Sequence, residues 1–164
     1  MTSFAPIVFS LAPSPIGEIL LVAQQDALVG LYMETFAHGP TDRTAWIRDD
    51  ARLAAVRAQL DEYFAGKRTS FDLPLRLEGT PFQQRVWDAL CAIPFGETVS
   101  YGELAARIGA PGSARAVGHS NARNPVSIVV PCHRVIGADG SLTGYGGGEP
   151  RKRWLLEWER GVAR

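Results

Sequence analysis

The first third of the chain alternates short apolar runs with turn residues. The runs are IVFSLA, GEILLVAQ and ALVGLYM, and the turns between them are Pro13-Ser14-Pro15 and Gln24-Gln25-Asp26. Apolar runs of this length between turn residues are typical of β-strands joined by tight connections. The pattern therefore predicts a three-stranded meander at the N-terminal end.

A helix is predicted after the meander, because apolar residues then recur at every third or fourth position. Asp49 or Asp50 is a candidate cap for its start, and Gly66 is a candidate stop. The irregular segment from residue 67 to residue 79 is interpreted as a linker. The apolar residues of this helix are Leu53, Val56, Leu60, Tyr63 and Phe64.

The second half opens with a strong helix signal at Thr80-Pro81-Phe82-Gln83. Threonine is a good N-cap, proline suits the first helical position, and glutamine three residues after the cap closes a capping box. A helix is expected from there to about Ala92. A second capping box, at residues 100–103, predicts a helix through Ile108.

A third helix is predicted from about Ser113 to Asn121, after the turn residues APGS. Two short helices joined by a tight Gly/Pro turn form a helix-turn-helix pattern. The elements together predict an α/β (α+β) protein in two parts. Residues 1–79 form an α/β domain with its linker, and residues 80–164 form a helical domain.

The sequence IVVPCHRVIG, residues 128–137, is the most distinctive stretch of the chain. Its apolar residues predict a buried strand that Pro131 ends, because proline cannot continue a strand ladder. Cys132 would then lie at the tip of the strand. The following loop, GADGSLTGYGGG, is interpreted as too mobile to be core, and a last helix is expected from Glu149-Pro150.

Composition and charge exclude several protein classes. Hydrophobic residues make up 46% of the 164 residues, but no apolar run reaches the roughly 18 residues that a membrane helix needs. The N-terminus has no basic region typical of a signal peptide, so a cytoplasmic protein is expected. Net charge is zero. Four arginines between Tyr101 and Val135 predict a weakly basic stripe: Arg107, Arg115, Arg123 and Arg134.

Cys132 is a candidate nucleophile, with a buried small hydrophobic residue as the alternative interpretation. The thiolate is the reactive form of cysteine, and an adjacent imidazole favours it. His133 therefore predicts a low pKa for Cys132. A carboxylate should orient the imidazole, and six acidic residues of the second half remain open for that role. Cys91 is interpreted as core, and the cysteines and histidines show no zinc spacing.

Several motifs resemble those of the O6-alkylguanine-DNA alkyltransferases. PCHRV at 131–135 resembles the active-site motif of that family, and SARAVGHSNARNP at 113–125 resembles its recognition helix and the turn after it. TPFQQRVW, FGETVSYGELA and GSLTGYGGGEPRKRWLLEWE also match. The resemblance covers residues 80–159 strongly. It implies a ribonuclease-H-like sheet domain in front of a helical DNA-binding domain.

The resemblance also implies an activity, which is direct reversal of DNA damage. The alkyl group of O6-alkylguanine in double-stranded DNA would move irreversibly to Cys132, once per protein molecule. Such a protein needs no cofactor and no metal. It is expected to act as a monomer on DNA, without a membrane. Activity on O4-alkylthymine and cooperativity on DNA stay open.

The resemblance assigns roles residue by residue. Cys132 is the alkyl acceptor, and His133 takes its proton through a water molecule. Glu159 holds that histidine, which selects one of the six acidic residues. Asn124 braces the turn before the cysteine. Tyr101 donates a hydrogen bond to guanine N3 as the leaving base gains negative charge.

The predicted recognition helix would enter the minor groove, where sequence information is poor. A cysteine cannot reach a base inside a duplex, so the damaged nucleotide must be flipped out, and Arg115 would take its place in the stack. Arg123 departs from the family pattern, and either adds a phosphate contact or crowds the helix. The other expected DNA or pocket residues are Ser113, Ala114, Ala116, Gly118, Tyr145, Gly146 and Gly147.

Three other functions compete with this interpretation. An alkyltransferase-like protein that flags damage without repairing it would lack the acceptor cysteine, which this chain has at Cys132. A cysteine hydrolase would turn over many substrate molecules. A helix-turn-helix regulator would keep its full function after Cys132→Ala. The alkyltransferase hypothesis is preferred because it accounts for all the motifs together.

Overall fold

The computed structural model describes residues 5–34 and 39–164. Within these residues an N-terminal sheet with one helix precedes a helical part. The strands are β1 Ile7–Ala12, β2 Ile19–Gln24, β3 Ala27–Met33, β4 Ile47–Arg48, β5 Val99–Ser100 and β6 Val135–Ile136. The helices are α1 Ala54–Phe64, α2 Pro81–Cys91, α3 Tyr101–Arg107, α4 Ala114–Ala122 and α5 Glu149–Ala163.

The predicted meander is confirmed, since β1 pairs antiparallel with β2, and β2 with β3. Burial alternates along β1, as expected for a strand with one face on the core. The prediction of three strands missed β4, which pairs parallel with β1 and gives the sheet order β3-β2-β1-β4. β4 has only two residues, both exposed. Two residues are too few to show the alternation of apolar and polar positions that predicts a strand.

α1 is present, but its predicted cap is wrong. The helix starts at Ala54, with Leu53 in the N-cap position and no side-chain cap. The Asp49 carboxylate instead accepts a hydrogen bond from the backbone N–H of Arg52, while Asp50 accepts one from Ser10. The Asp49 carboxylate therefore stabilises the turn before the helix, and the Asp50 carboxylate bonds that turn to Ser10 of β1.

The helix starts of the second half follow the sequence signals closely. The capping box of α2 is complete, because the Thr80 hydroxyl accepts from Gln83 N–H and the Gln83 side chain accepts from Thr80 N–H. At α3 only half of the predicted box forms, with Ser100 accepting from the backbone of Glu103. α4 follows after a turn, so the helix-turn-helix is confirmed, and α5 begins at Glu149.

The strand predicted before Cys132 is wrong. Residues 127–129 form turns, and Cys132–Arg134 form a short 3-10 helix. Ile128 has a left-handed φ of 71°, which breaks an extended run. The segment is apolar because it is buried, with Val126, Ile128 and Val130 at most 1% exposed. Hydrophobicity without alternation could not distinguish a buried turn from a buried strand.

β3 joins the two halves of the molecule. Leu31 N–H donates to the Pro125 carbonyl at 2.8 Å, and Ser127 N–H donates to the Leu31 carbonyl at 3.3 Å. Leu28 pairs in the same way with Leu75. The segment predicted as a linker is therefore packed onto the sheet at that point. The N-terminal sheet thus holds the turn that leads to Cys132.

The glycine-rich loop between β6 and α5 is partly core, contrary to the prediction. Tyr145, Gly146 and Gly147 are buried, whereas the loop is exposed around Gly140. Cys91 also differs from its prediction, since it is exposed at the C-terminal end of α2. No helix among residues 5–34 and 39–164 is long and apolar enough to cross a membrane.

Candidate active site around Cys132

Cys132 begins the 3-10 helix and is 2% exposed. Its backbone N–H donates to the Val130 carbonyl at 2.8 Å, which closes the tight turn across Pro131. Burial raises the pKa of the thiol above its ordinary value. The low pKa predicted from the neighbouring histidine is therefore wrong for the resting protein. A separate base must remove the proton when the thiol reacts.

Asn124 lies at the start of the turn and is completely buried. Its side-chain amide donates to the Val130 carbonyl at 2.8 Å, and its side-chain oxygen accepts from Val126 N–H at 3.0 Å. The Asn124 side chain therefore satisfies backbone groups that a neighbouring strand would bond in a β-sheet. The side chain spans the segment that fixes the position of Cys132.

His133 is fully buried and its Nε2 lies 2.7 Å from Oε2 of Glu159 on α5. Because a carboxylate accepts hydrogen bonds, this contact places the ring proton of a neutral imidazole on Nε2. Nδ1 is then an acceptor, and it has no hydrogen-bond partner among the described residues. Burial lowers the pKa of His133, although Glu159 opposes this effect. The imidazole is therefore a neutral base.

Glu159 accepts from two further residues that the sequence did not indicate. The Tyr63 hydroxyl of α1 donates to Oε2 at 2.6 Å, and Arg134 donates from Nε to Oε1 at 2.7 Å. Burial alone would raise the pKa of Glu159, but His133 and Arg134 together lower it well below its ordinary value. Arg134 is buried in this network. It is therefore not part of the predicted basic stripe.

Tyr101 lies at the first position of α3, and its hydroxyl donates to the Thr143 carbonyl at 2.9 Å. Lys152 Nζ is 3.4 Å from the same hydroxyl, and is 5.6 and 5.9 Å from the ring centroids of Tyr101 and Tyr145. Burial raises the pKa of Tyr101 to about 12 and lowers that of Lys152 to about 8. No periodic pattern predicted that Lys152 would be buried on α5.

Tyr145, Gly146 and Gly147 line the buried end of the glycine-rich loop. The Tyr145 hydroxyl is 3.7 Å from the sulfur of Met33 on β3. A Cβ at Gly147 would collide with that sulfur, so a larger residue there would require the Met33 side chain to shift. The loop therefore packs against the Met33 side chain of β3.

The predicted recognition helix α4 presents Arg115 and Ala116 to solvent, while Ser113 is its half-buried N-cap and Ala114 is half-buried. Ser113, Arg115 and Ala116 border an open groove between α4 and the start of α2. Gly118 faces the other way, where a Cβ would lie 3.6 Å from the Tyr101 ring. Gly118 therefore lies at van der Waals distance from Tyr101 and not in the groove.

Arg123 is exposed at the C-terminal end of α4 and donates from Nε to His119 Nε2 at 2.9 Å. The pair lies on the helix surface, so Arg123 does not crowd the helix against its neighbours. Among the described residues, no three His, Cys, Asp or Glu side chains come together in a way that could hold a metal ion.

This chain belongs to the 6-O-methylguanine DNA methyltransferase family. The family model of the ribonuclease-like domain matches residues 7–77, and that of the DNA-binding domain matches residues 81–161. The methylated-DNA–protein-cysteine methyltransferase of Mycobacterium bovis is 55% identical over 150 residues, covering 92% of this chain and 90% of the relative. The constitutive enzyme of that name from Bacillus subtilis is 43% identical over 156 residues, covering 93% and 94%.

A solved structure gives the same result for the fold. The crystal structure of Mycobacterium tuberculosis OGT in complex with DNA superposes with a TM-score of 0.89 and is 53% identical. The superposition covers 94% of this chain and 94% of the crystal structure's chain. The predicted fold class, with a sheet domain followed by a helical domain, is thereby confirmed.

Proposed function

We propose that this protein repairs O6-alkylguanine in DNA by moving the alkyl group irreversibly to the sulfur of Cys132. The chain is a DNA-repair methyltransferase of the family named above, and DNA is its partner. The observation that carries the assignment to Cys132 is its buried position next to His133, which Glu159 holds in the tautomer of a base.

The first step activates the thiol. Nδ1 of His133 accepts the thiol proton through a water molecule, and Glu159 stabilises the imidazolium that forms. Glu159 is suited to this role because Arg134 helps to keep it ionised and the hydrogen bond from Tyr63 fixes its position. A thiolate is costly in a buried site, so it forms only when the substrate is ready to react.

The second step transfers the alkyl group. A bond forms between Sγ of Cys132 and the alkyl carbon, and the bond between that carbon and O6 breaks. The departing guanine gains negative charge, which the Tyr101 hydroxyl stabilises by donating to N3. Guanine N3 would replace the Thr143 carbonyl as the acceptor of this hydrogen bond. The thiol loses one proton and the released guanine gains one, so the step is balanced without a cofactor.

Intact mass spectrometry tests this function. Protein mixed with excess O6-methylguanine DNA should gain the mass of one CH2 group, on Cys132, and stop at one per chain. Release of many products without an adduct would support a cysteine hydrolase. DNA binding with no adduct would support the alternative of a damage-recognition protein that does not transfer the group.

Arg115 is the expected residue that replaces the flipped base. It is exposed on α4 beside the open groove. Arg115→Ala is expected to slow repair of duplex DNA more than reaction with free O6-benzylguanine, because only the duplex requires flipping. Rate constants for the two substrates measure this. Equal losses on both would contradict the flipping role.

Tyr101→Phe tests the hydrogen bond to the leaving base. Loss of one transition-state donor costs a factor of about 10² to 10³ in the best-studied cases. We expect a slower transfer step with little change in DNA affinity, measured by single-turnover kinetics beside a binding titration. A rate equal to that of the wild type would remove Tyr101 from the chemistry.

Two further assignments complete the proposal: the boundary between the domains and the location of the protein in the cell. The boundary between the domains falls at residues 79 and 80, which is supported by the family models and by the N-cap of α2 at Thr80. The second assignment is that the protein works in the cytoplasm. Separate expression of residues 80–164 and fractionation of cells test the two assignments.

A further inference from the structure

Ser127 is a buried polar residue that the mechanism above does not use. It lies in the turn between α4 and the 3-10 helix and is 0% exposed. Its backbone N–H donates to Leu31, and its carbonyl accepts from Val129 N–H at 2.8 Å. Its hydroxyl oxygen has no hydrogen-bond partner among the described residues. A buried hydroxyl without a partner is unfavourable, so its presence calls for an explanation.

The surroundings of the Ser127 hydroxyl belong to the reactive centre. Burial raises the pKa of Cys132 and of Tyr145; Asn124, Lys152 and the Ser127 hydroxyl oppose this effect at Cys132, and the Ser127 hydroxyl also opposes it at Tyr145. Tyr145 directs its own proton toward Met33. Ser127 therefore interacts with both the reactive sulfur and the Tyr145 side chain, and it lies on the turn that bonds to β3.

The other hydrogen-bond donors near the sulfur already have acceptors. The Asn124 amide donates to the carbonyls of Val130 and Val126, and the backbone N–H of Cys132 also donates to Val130. The Lys152 ammonium lies beside the Tyr101 hydroxyl. Among these groups only the Ser127 hydroxyl has no hydrogen-bond partner at all among the described residues.

We propose that Ser127 is a further residue of the alkyl-transfer site, whose hydroxyl donates a hydrogen bond to the Cys132 sulfur as the thiol loses its proton. This inference rests on the proposed function. The proton leaves toward His133, the sulfur gains negative charge, and the hydroxyl stabilises that charge. After transfer the sulfur is a neutral thioether and a weak acceptor, so the interaction is strongest when the sulfur is ready to attack.

The size of the effect follows from two opposing trends. A hydrogen bond to a charged group lowers the pKa of the thiol by about one to two units, which increases the thiolate fraction about 10- to 100-fold. The intrinsic nucleophilicity of a thiolate falls as its pKa falls, with a Brønsted coefficient of about 0.4–0.5. The net gain in rate near neutral pH is therefore roughly three- to tenfold.

The test measures the rate of reaction with free O6-benzylguanine against pH, because that substrate requires neither DNA binding nor base flipping. Ser127→Ala is expected to lower the rate near neutral pH by roughly three- to tenfold and to move the rise of the profile to higher pH. The titratable groups that interact with Cys132 stay the same in the variant, and so does the proposed base His133: they are Lys152, Tyr101 and Tyr145.

A second pair of variants keeps the test decisive if Ser127→Ala does not fold. Ser127→Thr and Ser127→Val have the same shape and differ only in the hydroxyl. We expect the threonine variant to react faster than the valine variant, with the lower apparent pKa. Ser10→Ala is the control, since it removes a buried hydroxyl that bonds Asp50 far from the site. It should leave the pH profile unchanged.

The outcomes separate the two proposals. If the wild-type protein forms no adduct with the alkylated base, the proposed function fails. If the wild type is alkylated but Ser127→Ala, or the threonine and valine pair, shows an unchanged pH profile, the inference about Ser127 alone is overturned. The hydrogen bond to sulfur is supported if the pH–rate profile of Ser127→Ala or Ser127→Val moves to higher pH and that of Ser127→Thr stays close to the wild-type profile.

Discussion

Cys132→Ala is expected to abolish alkyl transfer while leaving DNA binding intact. The sulfur is the proposed acceptor. Burial raises the pKa of both Tyr101 and Tyr145, and the Lys152 amine, with a pKa of about 8, is mostly protonated at neutral pH, so none of the three is a comparable nucleophile. The groove beside α4 does not include the cysteine. Intact mass after incubation with O6-methylguanine DNA measures transfer, and a titration with the same DNA measures affinity.

Cys91→Ala is the matched control for this result. Cys91 is the other cysteine of the chain, and it is exposed on α2. Its removal is expected to leave the rate and the single adduct unchanged. An adduct on Cys91 in the Cys132→Ala variant, or undiminished repair by that variant, would overturn the assignment of the acceptor. A helix-turn-helix regulator would behave in the latter way.

Glu159→Gln is expected to reduce both stability and transfer. Removal of one partner from a buried ion pair costs about 3–5 kcal/mol, because the remaining charge stays buried and uncompensated. Here Arg134 would lose the carboxylate to which it donates from Nε and Nη2. His133 would also lose the acceptor that fixes its tautomer. Chemical denaturation measures stability, and single-turnover kinetics under conditions where the variant is folded measure transfer.

Glu157→Gln is the control for Glu159→Gln, since it makes the same charge change at an exposed position of α5. A change within about 0.5 kcal/mol is expected there. If Glu159→Gln were as stable and as reactive as Glu157→Gln, the buried network would have no role in folding or in transfer.

The pH dependence of stability provides a further measure of the same network. Glu159 has a lowered pKa in the folded state. It therefore adds stability above the ordinary glutamate pKa, and this contribution is lost as the pH falls through the folded-state pKa. The lowered pKa of His133 acts in the same direction, because the unfolded chain binds that proton more readily. Glu159→Gln should flatten the acid side of the stability curve.

The helical part of the fold was predictable because its signals are local. The capping box at Thr80 and the start of α5 at Glu149 depend on residues within one helical turn of each other. The meander was predictable for the same reason, since its strands are separated by short turns. β4 was not, because two residues carry no period and the strand forms only by pairing with β1.

The turn before Cys132 shows where local signals end. Its apolar residues indicate burial, and burial is correct, but the left-handed Ile128 and the bonds made by Asn124 and Leu31 decide its shape. The Asn124 bonds stay within the turn, but the Leu31 bonds join residues from both halves of the chain. No window of sequence contains both β3 and the turn.

The sequence by itself determined the reactive pair, the helix-turn-helix and the family, because these depend on residue type and short spacing around Cys132 and His133. Only the tertiary structure decided how the pair is activated. Tyr63 and Glu159 are 96 positions apart and share one hydrogen bond, while Lys152 and Ser127 are polar residues whose burial no periodicity indicates. Charge and hydrogen bonding act through space, and folding alone sets those distances.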